Sequence, residues 1–397
     1  MSRGTDTAPI SLLMVAGEAS GDQYGATLVC ALYAYFPRLQ VYGVGGMQMR
    51  AAGVQTLFDI ETLNAVGAIE VCAKIPQAIR MAQCLLQEAK VRGTRVVVLI
   101  DAPGFNLYVA RRAKQAGLRV VYYVSPQIWA WRQGRVKKIA RSVDTMLTLF
   151  PFEVPLYTAA GVEAAYVGHP VVDRLQALPM AEQAAQMLGL EAAHPIIALL
   201  PGSRRQEIRR LLAPMLTALS YMRQRLPQLQ GVLPLASSAA ELEVRRILAH
   251  HAVPVTVVQG QSATVLRAAH VALVASGTAT LEAGLIGTPM VVVYKVHVVT
   301  ELLARLLLRI PNIGLVNIVA GNTIVPELLQ RQVRPRTMAV LALRYLEQDE
   351  EALRVKRELA RLHDILGPGG SAQRAAAQVG YHLAAAHGSA VSAESKG

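Results

Sequence analysis

Val96-Val-Val-Leu-Ile100-Asp101-Ala-Pro-Gly-Phe-Asn106 runs from branched apolar residues to a carboxylate, then through a Pro-Gly step into a helical stretch, Tyr108 to Ala116. An apolar run without polar alternation is a strand buried on both faces, as in parallel sheets covered by helices. The rhythm extends in both directions. Leu12–Ala16, Val41–Val44, Val120–Val124, Thr145–Phe150 and Ala165–Val167 read as further strands, with Ala26–Tyr35 and Ile79–Val91 as amphipathic helices between them. It then restarts with Pro195–Leu200, Val232–Leu235, Val255–Val258, Val271–Ala275 and Met290–Tyr294. Helices there are Arg205–Leu226, which Pro214 is expected to kink or split, and Ala239–His251. The expected fold is therefore α/β, two Rossmann-like domains facing a cleft. The boundaries fall at 1–172 and 173–360, with 361–397 a C-terminal helical segment and frayed tail.

Composition bounds the function. The 397 residues are 53% hydrophobic and 17% charged, enough for large cores and too apolar for disorder as the main state. Forty Lys and Arg against 27 Asp and Glu leave a net +13, which points to nucleic acid, a phosphorylated substrate or an acidic membrane face. Cys30, Cys72 and Cys84 form neither a disulfide framework nor a CxxC pair, as befits a reducing cytoplasm. No stretch reaches the roughly 20 apolar residues of a bilayer span. Ile10–Gly17, followed at once by Glu18 and Asp22, reads as a buried strand and not as a signal peptide. The histidines are scattered, so no metal site is expected.

Ligands of open α/β sheets sit beyond the carboxyl ends of strands, so the strand tips are the places to search. Gly17-Glu18-Ala19-Ser20-Gly21-Asp22 suits a tight turn in which Ser20 or Asp22 caps a helix while Glu18 faces the cleft. Val41–Gly46 lacks the full dinucleotide fingerprint. Asp101 suits a general base shielded by Pro103 and Phe105, or equally a cap for the next helix. Ser125-Pro-Gln-Ile-Trp129-Ala-Trp131-Arg132 holds both tryptophans and runs into Arg135, Lys137, Lys138 and Arg141. That mixture fits stacked bases, a phosphorylated amphiphile at a membrane interface, or a plain solvated basic helix. Pro201-Gly-Ser203-Arg204-Arg205 opens a helix beside arginines, a place for phosphate oxygens. Ser276-Gly277-Thr278-Ala-Thr280-Leu-Glu282 offers N–H and hydroxyl donors for a diphosphate, and Glu282 sits one turn after Thr278 to accept ribose hydroxyls. His169 lies at the domain junction without an assigned role.

The Glu18, Asp101–Asn106, Ser125–Arg132, Leu200–Arg204 and Ser276–Glu282 motifs, with Pro311–Gly321 and Glu327–Gln330, together resemble the lipid-A-disaccharide synthase family, in order over roughly residues 10 to 385. The resemblance implies a peripheral-membrane, inverting glycosyltransferase of the two-Rossmann type, at the cytoplasmic face of the inner membrane. It implies transfer of 2,3-diacylglucosamine from UDP-2,3-diacylglucosamine to 2,3-diacylglucosamine 1-phosphate, without a metal or other cofactor and without nucleic acid. By matching positions, Asp101 is the general base and Glu18 an acidic residue near the acceptor. Ser203 and Arg204 grip the diphosphate, Glu282 holds the ribose, and Asn317 and Gln330 are donor-side polar residues in a region the family uses in swapped homodimers. Ser20, Asp22, Asn106, Trp129, Trp131 and Arg132 fall on the acceptor or membrane side. Val296–Ile310 is apolar on too many sides for a surface helix and suits core packing or acyl-chain contact. Gly104 stands where some relatives carry a second acidic residue. The alternative of the same fold is another UDP-sugar transferase or an epimerase.

Overall fold

The computed structural model describes residues 10–64, 71–128, 133–235, 238–296 and 311–388. Trp129, Trp131 and Arg132, and all of the apolar stretch after Val296, lie outside them. The chain divides into two compact units, residues 1–170 with 369–397, and residues 171–368. Residues 361–397, set apart in the sequence reading, are thus shared between the units.

The first unit is built on a seven-stranded parallel sheet of order β3-β2-β1-β4-β5-β6-β7. Its strands are β1 (Ser11–Ala16), β2 (Gln40–Gly45), β3 (Gln55–Asp59), β4 (Val96–Ile100), β5 (Arg119–Tyr123), β6 (Thr145–Thr148) and β7 (Glu163–Tyr166). Every residue of β1 and β4 is buried, as unbroken apolar runs require. The expected strands are present, and β3 is an addition. Gln55-Thr-Leu-Phe-Asp59 is a half-exposed edge strand, so it lacks the continuous apolar signal of its neighbours.

Helices α1 (Ala19–Tyr35) and α2 (Met47–Ala51) follow β1 and β2. Helix α3 (Val71–Val91) precedes β4, and α4 (Pro103–Gln115) follows it. Helix α1 starts seven residues before the amphipathic pattern of Ala26–Tyr35 because glycines let its first turns approach other atoms closely. A Cβ at Gly25 would lie 2.7 Å from the Met49 sulfur.

The second unit has a six-stranded parallel sheet of order β10-β9-β8-β11-β12-β13. It comprises β8 (Ile196–Leu200), β9 (Gln230–Leu235), β10 (Val255–Gln259), β11 (Val271–Ala275), β12 (Met290–Tyr294) and the unforeseen three-residue β13 (Glu327–Leu329). Helix α6 (Arg205–Arg225) follows β8 and runs through Pro214 as one element, where a kink or split was expected. Proline removes one ladder hydrogen bond, at about 3 kcal/mol in a helix interior. Ile208, Leu211, Leu212, Met215, Leu216, Leu219 and Met222 are buried along one face, and burial at ~1.5–3 kcal/mol per large side chain outweighs that loss.

Helix α7 (Thr278–Ile286) follows β11, and α8 (Leu315–Ala320) leads into β13. Helix α9 (Asp349–Leu366) ends the second unit. Helix α10 (Ser371–His387) returns to the first, where it packs on α1. There the ring of His382 is 2.9 Å from the Thr145 hydroxyl, and Arg374 donates to the Val167 and Gly369 carbonyls at 3.0 and 2.8 Å.

Candidate active site

Each sheet reverses its strand order once, between β1 and β4 in the first and between β8 and β11 in the second. Chains leaving adjacent strand ends there diverge to opposite faces and leave an opening for a ligand. The candidate residues cluster at these two points.

In the first unit Ala16 pairs with Ile100, so Glu18 and Asp101 emerge side by side. Asp101 and Ala102 have φ of 51° and 45°, and Val124, past the end of neighbouring β5, has 69°. Left-handed backbone at non-glycine residues costs about 1–3 kcal/mol each and persists only where surroundings impose it. Tyr122 donates its hydroxyl to the Asp101 carbonyl at 2.6 Å, and the Asp101 N–H donates to the Tyr123 carbonyl at 3.0 Å. Asn106, fully buried, donates its amide to the carbonyls of Asp101 at 2.9 Å, Ile100 at 3.0 Å and Val15 at 3.3 Å. These bonds tie the tips of β1 and β4 together and hold the bend that presents the carboxyl.

The carboxyl itself is not a helix cap. Ala102 occupies the N-cap of α4, and no side chain caps it. Burial, and then the negative charge of Glu18, push the Asp101 pKa from 3.8 up to about 6, against a smaller lowering by the Ala102 N–H. A carboxylate poised near neutrality at a strand tip is equipped to take a proton. Glu18 is exposed beside it.

Three residues assigned to the acceptor side have different settings. Ser20 and Asp22 lie inside α1, whose N-cap is Glu18, so neither caps that helix. Asp22 is buried and caps α2 instead, accepting from the N–H groups of Gly46 at 2.7 Å, Gln48 at 3.0 Å and Met49 at 3.0 Å. Asn106 points into the fold, as above; only Ser20 is exposed. Ser125 is also buried, donating to Glu153, which fastens the start of the tryptophan segment. His169 is buried with its ring 5.3 Å from that of Phe150.

In the second unit, β8 and β11 end together, Leu200 opposite Val274. Gly202 has a φ of 104°, and a Cβ there would meet the Glu207 carboxylate at 2.3 Å. Ser203 and Arg204 follow, exposed, at the start of α6. Beside them Gly277, with a φ of 150°, starts α7 ahead of the exposed Thr278. Two helix N-termini with unsatisfied N–H groups, and a guanidinium 81% exposed, make a seat for phosphate oxygens. Tyr294, at the end of β12, senses the charges of Glu207 and Arg204 and so faces the same point.

Ser276 and Thr280 use their hydroxyls internally. Ser276 donates to the Ile313 carbonyl at 2.8 Å; Thr280 donates to the Gly277 carbonyl at 2.8 Å and accepts from the Val316 N–H at 3.4 Å. Glu282 is buried, accepting from Ser262 at 3.1 Å with Arg174 at 3.6 Å. Asn317 is fully buried and pins its loop: it accepts from Ile324 and Val325 at 2.9 and 3.0 Å and donates to Glu327 at 2.8 Å and the Val325 carbonyl at 2.9 Å. Glu327, given no role in the sequence reading, also accepts from the Ile313 and Gly314 N–H groups at 2.8 and 3.0 Å. Gln330, with a φ of 50°, accepts from the Val296 N–H at 3.1 Å. Asn317 and Gln330 therefore shape the donor-side loops from within. Only its place three residues beyond a polar helix end hinted at such a role for Tyr294, and nothing local marked Glu327, because its partners are backbone groups distant in sequence.

Among the described residues no group of three His, Cys, Asp or Glu side chains converges to hold a metal. No helix among them is long and apolar enough to cross a membrane.

Known proteins share both the fold and the sequence. The putative UDP-N-acetylglucosamine 2-epimerase of Listeria monocytogenes superposes with a TM-score of 0.63 at 14% identity, covering 95% of this chain and 97% of that one. The UDP-GlcNAc 2-epimerase of Neisseria meningitidis, bound to UDP-GlcNAc, gives 0.61 at 12% identity over 94% and 99%. The calicheamicin glycosyltransferase CalG4 gives 0.59 at 14% identity over 95% and 99%. These likenesses speak to the fold. In sequence, the lipid-A-disaccharide synthase of Trichlorobacter lovleyi is 42% identical, covering 94% of this chain and 97% of that protein. That of Myxococcus xanthus is 42% identical over 94% and 97%. The family profile for lipid-A-disaccharide synthetase matches residues 12–378, which takes in both reversal points and every described candidate residue. With the two parallel-sheet units, the paired carboxylates and the phosphate seat in order along that span, the chain belongs to the lipid-A-disaccharide synthetase family.

Proposed function

We propose that the chain is an inverting glycosyltransferase that moves 2,3-diacylglucosamine from UDP-2,3-diacylglucosamine to the 6-hydroxyl of 2,3-diacylglucosamine 1-phosphate. The observation that carries the reading is Asp101, whose raised pKa of about 6 makes it an ionised base at neutral pH that is readily protonated. Its carboxylate takes the proton of the acceptor 6-hydroxyl while that oxygen attacks the anomeric carbon. The bond from the anomeric carbon to the diphosphate breaks as the new bond forms on the opposite face, giving a β-1′,6-linked disaccharide 1-phosphate and UDP. Glu18 acts through its charge, which keeps Asp101 basic, and through the acceptor side it faces.

Charge that develops on departing UDP is met by Arg204 and by the N–H groups around Ser203, Ser276, Gly277 and Thr278. Glu282 orients the ribose, held by Arg174 and Ser262, and Asn317 and Gln330 support the donor loops. No step calls for a metal. The first unit serves the acceptor and the second the donor. The same reading places the protein peripherally on the cytoplasmic face of the inner membrane, with Trp129, Trp131 and Arg132 on the membrane side, and as a homodimer.

The test is incubation of purified protein with both lipids in detergent, followed by mass spectrometry. A tetraacyl disaccharide phosphate with stoichiometric UDP is expected. UDP binding without that product would turn the reading toward an epimerase or another UDP-sugar transferase.

A further inference from the structure

A groove of about 770 Å³ lies in the first unit between α4 and α5 (Val136–Ala140). Its floor on α4 is the stripe Gly104, Leu107, Arg111 and Lys114, spaced so that all four share one face. The facing wall carries Arg135, Lys138 and Arg141. No Asp or Glu lines the groove. Lys114 is already engaged by Asp144, whose other oxygen accepts from the Val120 N–H. Arg111, Arg135, Lys138 and Arg141 are exposed and form no ion pair among the described residues. Like charges gathered without counter-charge repel one another, so an unneutralised row of four is a standing cost unless an anion fills it.

We infer that this groove docks the phosphate head groups of anionic membrane phospholipids and seats the first unit on the bilayer surface. The inference rests on the reading that the substrates are lipids, which reach Asp101 from a membrane. Three features select this occupant. The cations are strung along a helix about 20 Å long, farther than one phosphate spans, so several head groups suit the groove better than a single ligand. Its apolar lining is limited to Pro103, Leu107 and Ile139, too little to enclose acyl chains, so it is the heads that bind. It contains no aromatic side chain to stack on a base, which disfavours single-stranded nucleic acid. One end of the groove is Pro103–Gly104, directly after the Asp101–Ala102 bend, so docking there brings the base close to the lipid surface.

The test is co-sedimentation of the full chain with vesicles of phosphatidylcholine alone or mixed with phosphatidylglycerol, over a range of salt. Wild type is expected on the anionic vesicles only, with affinity falling steeply as salt rises. Arg111→Glu, Lys138→Glu and Arg141→Glu combined are expected to lower the partition coefficient on the order of a hundredfold or more, at about fivefold per cation lost. The matching triple Gln variant, whose folding is checked by circular dichroism, is expected to lose a smaller part. Turnover of detergent-dispersed substrates stays at the wild-type level in both. Vesicle binding within twofold of wild type in both variants overturns the proposal. So does a raised KM for the acceptor in detergent with vesicle binding unchanged, which would assign the groove to the acceptor phosphate. Tighter binding to polyuridylate than to anionic vesicles overturns it as well. Absence of wild-type turnover would count against the transferase reading, while the vesicle result would still decide the groove.

Discussion

Asp101 carries stability as well as chemistry. Its carboxyl is held at about 6 in the fold against an ordinary 3.8. A raised carboxyl favours the folded state fully only below the ordinary value, and that contribution is lost as pH rises through about 6. At pH 7.5 the charge is thus carried at a cost, so Asp101→Asn should stabilise the chain by about 1–2 kcal/mol, less than the full shift because the group keeps some contact with water. Denaturant melts should show the gain shrinking toward pH 4, while turnover falls by at least about a hundredfold. Glu18 is the second cause of the raised value. Glu18→Gln should therefore move the acidic limb of the pH–rate profile to lower pH. A limb left in place would mean that burial alone sets the Asp101 pKa.

Among elements, the β8–α6 turn is the most constrained part of the phosphate seat. Gly202 is required there twice, by its φ of 104° and by the Glu207 carboxylate 2.3 Å from where a Cβ would stand. That carboxylate accepts from the Arg204 N–H at 3.2 Å and lies 3.7 Å from its guanidinium, so moving it re-aims Arg204. Gly202→Ala should cost about 1–3 kcal/mol in a urea melt and weaken UDP binding in calorimetry. The stability loss with unchanged UDP affinity would remove this turn from the donor site. The neighbouring β11–α7 turn solves the same problem differently, with Ser276 and Thr280 stitching the turn so that Gly277 and Thr278 are left at the surface.

At the scale of the whole molecule, the last helix belongs with the first unit although the intervening chain builds the second. Helix α10 covers the sheet through Ala375, Ala376, Val379 and Leu383, all buried, and through the His382–Thr145 bond. A chain ending at Gly370 should lose the cooperative unfolding of the first unit and keep a transition for residues 171–368, which calorimetry would resolve. Retention of both transitions would show α10 to be dispensable.

Much of this was legible in the order of residues. Unbroken apolar runs such as Val96–Ile100 are strands buried on both faces wherever they occur, so the two parallel sheets follow from local pattern. Gly-rich strand tips ending in Asp101, Ser203-Arg204 or Ser276–Thr278 were equally readable, because a turn at a strand end needs those residue types locally. What tertiary structure alone decided is which polar side chains face a ligand and which face the fold. Asp22, Asn106, Thr280 and Asn317 look like site residues in sequence, yet each spends its hydrogen bonds on backbone groups brought near by packing. The same holds for the Asp101 pKa and for the return of α10. Burial, neighbouring charge and long-range pairing depend on distances between residues remote in the chain, and those distances exist only once the sheets have formed.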